Sequence, residues 1–160
     1  MANGSGVAFF GAGCFWGVEA AFRKVEGVTA TTVGYQGGHK INPSYQDVCT
    51  GTTDHAEVVA VNFDPARVTY EELLSVFWQC HNPTTLNRQG PDVGTQYRSV
   101  IYYADNAQKE AAERSKQALT DAKAFRDPIV TAIEPAADFY PAEDYHQQYL
   151  EKRGLATCHI

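Results

Sequence analysis

The pentapeptide Gly-Cys-Phe-Trp-Gly at residues 13–17 places a thiol directly beside two large aromatic side chains. Cys14 follows a short apolar run and a glycine-containing turn, and it precedes a segment with helical spacing that stops at Gly27. Unpaired backbone N–H groups and the helix dipole at such a position favour the thiolate. We therefore expect Cys14 to be a nucleophile, with Phe15 and Trp16 as an apolar wall beside it. The alternative is that Cys14 is a small buried core residue.

Glu57 is the candidate proton donor. Period-2 alternation in a predicted strand over residues 55–63 puts Glu57 on the same face as Val59, Val61 and Phe63, so we expect its carboxyl group close to the core. Burial disfavours the charged form and raises the pKa of a carboxyl group. A carboxylic acid that stays neutral near pH 7 can donate a proton. The alternative is a strand-end residue whose carboxylate reaches solvent.

Three more polar side chains lie in or beside long polar loops. Tyr45 lies in a loop over residues 36–54, Asp92 lies in a loop over 82–96, and Tyr97 opens the strand that follows. Loops of this length are uncommon and are usually functional. Phenolic hydroxyl groups can bind a polar substrate oxygen while their rings pack on apolar groups. Taken singly, each of the three also has a structural interpretation, Asp92 as a turn residue.

Composition limits the classes of protein that fit. A chain of 160 residues fits one domain, and we expect residues 1–160 to form a single one. The net charge of −6, with scattered acidic residues, argues against a nucleic-acid partner. No apolar stretch approaches the roughly 20 residues of a membrane span. Residues 1–6 lack the features of a signal peptide. We therefore expect a cytoplasmic protein without a membrane partner. We also expect a monomer.

The cysteines are few and far apart: Cys14, Cys49, Cys80 and Cys158. They form no Cys-x-x-Cys motif, and without an export signal this favours redox-active thiols over stable disulfides. The adjacent Cys-His pairs at 80–81 and 158–159 do not have zinc-site spacing, because two neighbouring residues rarely ligate one zinc ion well. We therefore expect no metal site.

Hydrophobic periodicity predicts alternating strands and helices. The first six elements run β-α-β-β-α-β, over residues 7–10, 14–25, 28–35, 55–63, 69–81 and 97–103. This is the split-βαβ order of an α+β, ferredoxin-like two-layer sandwich. The pattern then predicts additional C-terminal helices over 105–123 and 142–152, a strand over 129–133 between them, and an irregular tail over 154–160. The pairing of the strands is not readable from this pattern.

Several ordered segments resemble the signatures of peptide methionine sulfoxide reductases of the A type. They are GCFWG at 13–17, VGY with GG at 33–38, PSYQDVC at 43–49, GTTDHAE at 51–57 and DVGTQYRS at 92–99. The late segment AEDYHQQYL at 142–150 also resembles this family. The resemblance therefore runs through nearly the whole chain, in the order of the family's motifs.

The resemblance implies a peptide-methionine (S)-S-oxide reductase. Such an enzyme reduces methionine S-sulfoxide, free or in proteins, to methionine without a metal or an organic cofactor. By motif, seven residues take roles: the nucleophile Cys14, the proton donor Glu57, the sulfoxide-oxygen ligands Tyr45 and Tyr97, the methyl-pocket residues Phe15 and Trp16, and the supporting Asp92.

The resemblance also implies a thiol cycle. Attack on the sulfoxide leaves Cys14 as a sulfenic acid, a second thiol condenses with it, and a dithiol such as thioredoxin reduces the disulfide. Several relatives carry a longer Gly-rich tail with two further cysteines, whereas this sequence ends two residues after Cys158. Cys158 is therefore the expected resolving thiol. Participation of Cys49 or Cys80 is left open.

Two other classes of function are compatible with the same residues. A cysteine hydrolase or acyl transferase would use Cys14 with His39, His55 or His146 as its base. It would release ammonia or an acid and consume no thiol. A non-enzymatic peptide-binding module would use the aromatic pair at 15–16, and Cys14→Ser would then preserve its role.

Overall fold

The structure is a computed structural model that describes residues 6–152 of the chain. The strands are β1 (Gly6–Ala12), β2 (Val28–Gln36), β3 (Ala56–Phe63), β4 (Arg88–Gln89), β5 (Asp92–Val93), β6 (Ser99–Tyr103), β7 (Ala132–Pro135) and β8 (Tyr140–Pro141). The helices are α1 (Phe15–Arg23), α2 (Tyr45–Cys49), α3 (Tyr70–Gln79), α4 (Asn106–Asp121) and α5 (Tyr149–Lys152), with 3-10 turns at Thr95–Tyr97 and Asp144–His146. None of the helices within 6–152 has both the length and the apolar character that a membrane span requires.

Six of these strands form one sheet, in the order β7-β6-β1-β3-β2-β8. β1 pairs antiparallel with β3 and β6, and β2 pairs antiparallel with β3, so each βαβ unit is split by a strand of the other. The predicted α+β fold class is confirmed. The sheet differs from a plain ferredoxin-like sandwich because β7 adds in parallel to β6 and β8 adds antiparallel to β2.

Helices α1, α3 and α4 cover one face of the sheet and form the second layer. Phe10 of β1 stacks on Phe22 of α1 with ring centroids 4.9 Å apart, and it contacts Phe77 of α3 at 5.3 Å. Ala111 and Ala112 of α4 belong to the same buried cluster. Burying one large apolar side chain stabilises a fold by about 1.5–3 kcal/mol. Phe15 and Val18, near the start of α1, belong to the same cluster, which therefore holds this helix against the sheet.

β3 follows the predicted alternation. Val59 and Val61 lie in the cluster under the helices, whereas Ala56 and Val58 lie in a smaller cluster on the opposite face. Glu57 shares the parity of the two valines and is buried on the helix side. The strand therefore delivers one carboxyl group to the layer in which α1 begins.

The helix predicted over residues 142–152 is wrong. This segment forms a 3-10 turn and the four-residue α5, with Gln148 between them at a left-handed φ of 50°. Upstream, Ala142 N–H donates to the Val33 carbonyl, and the Gln147 side chain bonds both the N–H and the C=O of Val33. These contacts with β2 replace the hydrogen bonds that a continuous helix would make.

The two predicted loops contain more regular structure than expected. The first includes α2, and the second includes the β4–β5 hairpin. Tyr97 was predicted to open a strand, but it ends a 3-10 turn and β6 begins only at Ser99. The predicted irregular tail, with Cys158, lies outside the described residues.

Candidate active site

Cys14 lies at the junction between β1 and α1, as the strand-turn-helix pattern predicts. It is the N-cap residue of α1, and its carbonyl accepts the Val18 N–H at 3.4 Å. The preceding Gly13 has a φ of 97°, and the Gln89 side chain comes within 2.8 Å of the place where a Cβ atom would stand. Glycine at this turn therefore lets the chain bend sharply into the helix. The half-buried thiol is left at the edge of a cavity.

The pKa of the Cys14 thiol is raised to about 12, first by burial and then by the charge of Glu57. The Trp16 and Gly17 N–H groups at the start of α1 act in the opposite direction and lower this pKa, but they do not outweigh the burial. The expectation that the helix N-terminus alone would favour the thiolate is therefore wrong for the resting protein. The residue is a protonated thiol at neutral pH.

Glu57 lies directly beneath the start of α1. The Phe15 N–H donates to its Oε1 at 3.1 Å, and the side chain is 1% exposed. Burial raises the pKa of Glu57 to about 8, against the hydrogen bond from Phe15, so the carboxyl group is neutral at pH 7 as predicted. Because Oε1 accepts the N–H, the proton of the neutral acid belongs on Oε2. That oxygen has no hydrogen-bond partner among the described residues.

The protonation states of these two groups depend on each other. The charge of Glu57 raises the pKa of Cys14, and this contribution disappears when Glu57 is protonated. A proton on Glu57 therefore makes the thiol more acidic, and loss of the thiol proton makes Glu57 retain its own. The pair favours states that hold one negative charge at most.

Two phenols approach the same carboxyl group. Burial raises the pKa of both Tyr45 and Tyr97, and the charge of Glu57 raises each further. Both hydroxyl groups are therefore donors at neutral pH. Tyr45 begins α2, and its interaction with the Cys49 thiol raises the pKa of Tyr45 further. Tyr97 lies within electrostatic reach of Cys14, Asp92 and Cys49 as well.

Phe15 and Trp16, the two aromatic residues after Cys14, differ in their burial and in their contacts. Phe15 is completely buried and packs on Tyr35 and Tyr45, with ring centroids 5.7 and 6.5 Å apart. Trp16 is half-buried; its Nε1–H donates to His146 Nδ1 at 3.0 Å, and its ring stacks on Tyr149 at 3.8 Å. Trp16 therefore faces the cavity, whereas Phe15 supports the wall from behind.

The cavity beside Cys14 has a volume of about 380 Å³ and a mainly apolar lining. Trp16, Val18 and Cys80 line it, and Asp92 stands on its polar side in the β4–β5 hairpin. The charge of Asp92 contributes to the raised pKa values of both Cys14 and Glu57. Glu57, Tyr45 and Tyr97 do not line this cavity. Cys14 lies between the cavity with its apolar walls and the group formed by the neutral acid and the two phenols. Such a site suits a substrate with a basic oxygen attached to an apolar group.

Comparison with known proteins identifies the family. The sequence profile of peptide methionine sulfoxide reductases matches residues 6–160. The chain belongs to the peptide methionine sulfoxide reductase family. It is 65% identical to the peptide methionine sulfoxide reductase MsrA of Methanothermobacter thermautotrophicus over 96% of this chain and 90% of that one.

Solved structures in this reductase family share the fold. The reduced form of Mxr1 from Saccharomyces cerevisiae has a TM-score of 0.89 and 38% identity, covering 96% of this chain and 88% of that one. Mxr1 in complex with Trx2 has a TM-score of 0.65 and 25% identity, covering 93% and 87%.

The candidate resolving thiol of this reductase, Cys158, lies outside the described residues. Cys14 and Cys49 are free thiols within residues 6–152. In the same part of the chain, no group of three or more His, Cys, Asp or Glu side chains is placed to hold a metal ion.

The histidines do not support the cysteine hydrolase alternative. His55 accepts the Gly38 N–H on Nδ1 and contacts the Lys40 carbonyl through Nε2. His39 contacts the Thr52 carbonyl and lies on the surface. The Nδ1 atom of His146 accepts the Trp16 indole N–H. His146 Nε2 is buried and has no hydrogen-bond partner among the described residues, so none of these rings is hydrogen-bonded to the thiol.

Sequence reasoning missed the contribution of the C-terminal segment of the family's domain. His146 appeared there only as a possible base, whereas it orients Trp16 and packs on Tyr45 with ring centroids 4.4 Å apart. Tyr149 and Glu143 were not singled out. The density of polar and aromatic residues in 142–150, in the segment that resembles the family, is the signal that could have found them.

Glu57→Gln is expected to lower the pKa of Cys14, because the substitution removes a carboxylate charge that opposes the thiolate. The rate of Cys14 alkylation by iodoacetamide as a function of pH, read by mass spectrometry of the Cys14 peptide, measures this. Asp92→Asn is the matched control. Its charge contributes less than that of Glu57, so the decrease should be smaller. An alkylation profile that does not change in Glu57→Gln would contradict the coupling.

Proposed function

We propose that this protein reduces methionine S-sulfoxide, free or in proteins, to methionine, with Cys14 as the nucleophile. The observation that carries the proposal is the neutral, buried carboxyl group of Glu57 beside the Cys14 thiol. A sulfoxide needs both partners, because its sulfur accepts a nucleophile only when negative charge on its oxygen is neutralised. Membership in the peptide methionine sulfoxide reductase family supports the same reaction.

In the first step, Tyr45 and Tyr97 donate hydrogen bonds to the sulfoxide oxygen and Glu57 Oε2 transfers its proton to it. The Cys14 sulfur attacks the sulfoxide sulfur and gives its own proton to Glu57, so the acid is restored. The hydroxyl group then moves from the methionine sulfur to the Cys14 sulfur, and the bond between the two sulfur atoms breaks. Methionine leaves, and Cys14 is a sulfenic acid. Trp16, supported by Phe15, holds the S-methyl group in the apolar cavity, and Asp92 supports substrate binding from its polar side.

In the second step, the Cys158 thiol attacks the sulfenic sulfur, and water leaves as the disulfide forms. Two electrons from a dithiol then restore both thiols. We propose thioredoxin as this reductant, and the Mxr1 structure in complex with Trx2 supports the assignment. The cycle needs neither a metal nor an organic cofactor, and it leaves one oxidised dithiol for every methionine formed.

We further propose that residues 1–160 form one reductase domain that works as a monomer in the cytoplasm. The family profile covers residues 6–160, which supports a single unit. The free thiols of Cys14 and Cys49 suit a reducing compartment. The net charge of −6 supports the absence of a nucleic-acid partner.

The central test is stereospecific reduction. The sulfoxide sulfur is chiral, and a site with donors on one side and an aromatic wall on another accepts one hand only. The S epimer should yield methionine with dithiothreitol as reductant, and the R epimer should not. Equal rates for the two epimers, or no methionine from either, would overturn the proposed function.

Glu57→Gln should slow the first step by roughly 10²–10⁴-fold, the range of general-acid catalysis. The measurement is the burst of methionine formed in a single turnover without reductant. In the wild type, the burst rate should also fall as the pH rises through about 8, where Glu57 loses its proton. This decrease should be absent in Glu57→Gln. A near-normal burst in the variant would make Glu57 a structural residue.

Cys158→Ser should separate reduction from recycling. One methionine per enzyme should still form, because attack by Cys14 does not need the second thiol. Turnover with thioredoxin should fall sharply, since a sulfenic acid is a poorer partner for it than a disulfide. Cys49→Ser and Cys80→Ser are the matched controls and should recycle normally. Peptide mapping that joins Cys14 to Cys49 or Cys80 in the oxidised wild type would move the resolving role.

A further inference from the structure

Glu143 is an acidic residue beside the site that the mechanism above does not use. Its Oε2 accepts the backbone N–H of Tyr45 at 3.0 Å, and its Oε1 accepts the hydroxyl group of Tyr35 at 3.1 Å. We propose that Glu143 is a positioning residue that holds the Tyr45 hydroxyl group at the sulfoxide oxygen. This inference rests on the proposed function, in which Tyr45 stabilises charge on that oxygen.

The hydrogen bond to Tyr45 fixes the backbone from which the phenol projects. Tyr45 is the first residue of α2, which has only five residues and therefore little stability of its own. Ser44 and Asp47 form a capping box that closes the same turn, but this box lies within the loop and does not fasten it to the sheet. Glu143 supplies the link from the Tyr45 N–H to a different segment of the chain.

The second hydrogen bond connects Glu143 to the strand pair that carries the acid. Tyr35 of β2 lies directly opposite Glu57 of β3 in the sheet register. It is completely buried, so its hydroxyl group has a fixed position. A short path of contacts therefore runs from Glu57 across the strand pair to Tyr35, then to Glu143 and Tyr45. These contacts set the distance between the carboxyl group of Glu57 and the hydroxyl group of Tyr45.

Packing converts a fixed backbone into a fixed hydroxyl group. The ring of Tyr45 lies 4.4 Å from the ring of His146 and 6.5 Å from that of Phe15, measured between centroids. With the ring confined on these sides, the position of the phenolic oxygen is set by where the Cα atom stands. A displacement of about 1 Å can reduce a rate by about 10²-fold when it misplaces a catalytic group.

Glu143 has the ionisation state that this role needs. Partial burial opposes its charge, but the N–H of Tyr45, its own backbone N–H and the Tyr35 hydroxyl group together lower the pKa of Glu143. Both oxygens are therefore acceptors at neutral pH, Oε2 for the Tyr45 N–H and Oε1 for the Tyr35 hydroxyl group. Asp144, the next residue, is an exposed carboxylate in the same turn and provides a matched control.

The test is a double-mutant cycle on the methionine burst. Glu143→Ala should slow the burst by about 10–100-fold, less than the 10²–10³-fold that removal of an oxyanion-hole donor produces. Tyr45→Phe should lower the burst rate of the wild type. In the Glu143→Ala background, the same substitution should change the burst rate by no more than about twofold, which is the scatter expected of independent effects. Tyr97→Phe should keep its full effect in both backgrounds. If Glu143 had only a structural role, Glu143→Ala would reduce the effects of Tyr45→Phe and Tyr97→Phe alike.

Further variants keep the inference testable if Glu143→Ala unfolds. Glu143→Gln can still accept the Tyr45 N–H and should restore most of the burst rate. Tyr35→Phe removes only the hydroxyl group that orients Glu143, so it should also be non-additive with Tyr45→Phe. Asp144→Ala should leave the burst rate unchanged. Thermal unfolding of every variant separates loss of fold from loss of position.

Two results would overturn the inference: a normal burst in folded Glu143→Ala, or an equal effect of Tyr45→Phe with and without Glu143. A wild-type protein that forms no methionine would instead refute the proposed function, so the two failures are distinguishable.

Discussion

The hydrogen bond from the Phe15 N–H to the Glu57 carboxyl group connects the two halves of the site. It joins the first turn of α1 to β3, and it uses a backbone donor that a helix start leaves without an intrahelical partner. Because Phe15 directly follows Cys14, the same contact fixes the buried carboxyl group of Glu57 close to the thiol. Moving α1 by one residue along its axis would bury Glu57 without this donor. One hydrogen bond therefore sets the positions of both the nucleophile Cys14 and the acid Glu57.

Burial creates a conflict that this pair resolves. An apolar surrounding opposes charge on both the thiol and the carboxyl group, and the two negative forms also oppose each other. The site avoids the double anion because both groups are protonated at rest. The neutral resting state has a further consequence, because a protonated thiol is less open to oxidation than a thiolate. When the substrate takes the proton of Glu57, the resulting carboxylate can accept the thiol proton as the sulfur attacks.

Local patterns predicted the parts of the site that depend on neighbours in sequence. The strand-turn-helix pattern placed Cys14, and period-2 alternation placed Glu57 on the buried face, because both depend on geometry over a few residues. The raised pKa of Cys14 was not predictable in this way. It arises from burial and from a carboxyl group on another strand. The helix predicted over 142–152 failed for a similar reason, since the bonds of Gln147 to β2 are invisible in the local spacing.

The bond between Trp16 and His146 joins residues 130 positions apart, and Glu143 reaches Tyr45 across 98. Cys14 and Glu57 are synthesised before Glu143 and His146, the residues that orient their surroundings. A nascent chain that has folded β1, α1 and β3 thus holds a nucleophile without a finished pocket. Synthesis of the C-terminal segment then acts as the final assembly step, and a prematurely terminated chain would carry the thiol without the groups that orient Trp16 and Tyr45 beside it.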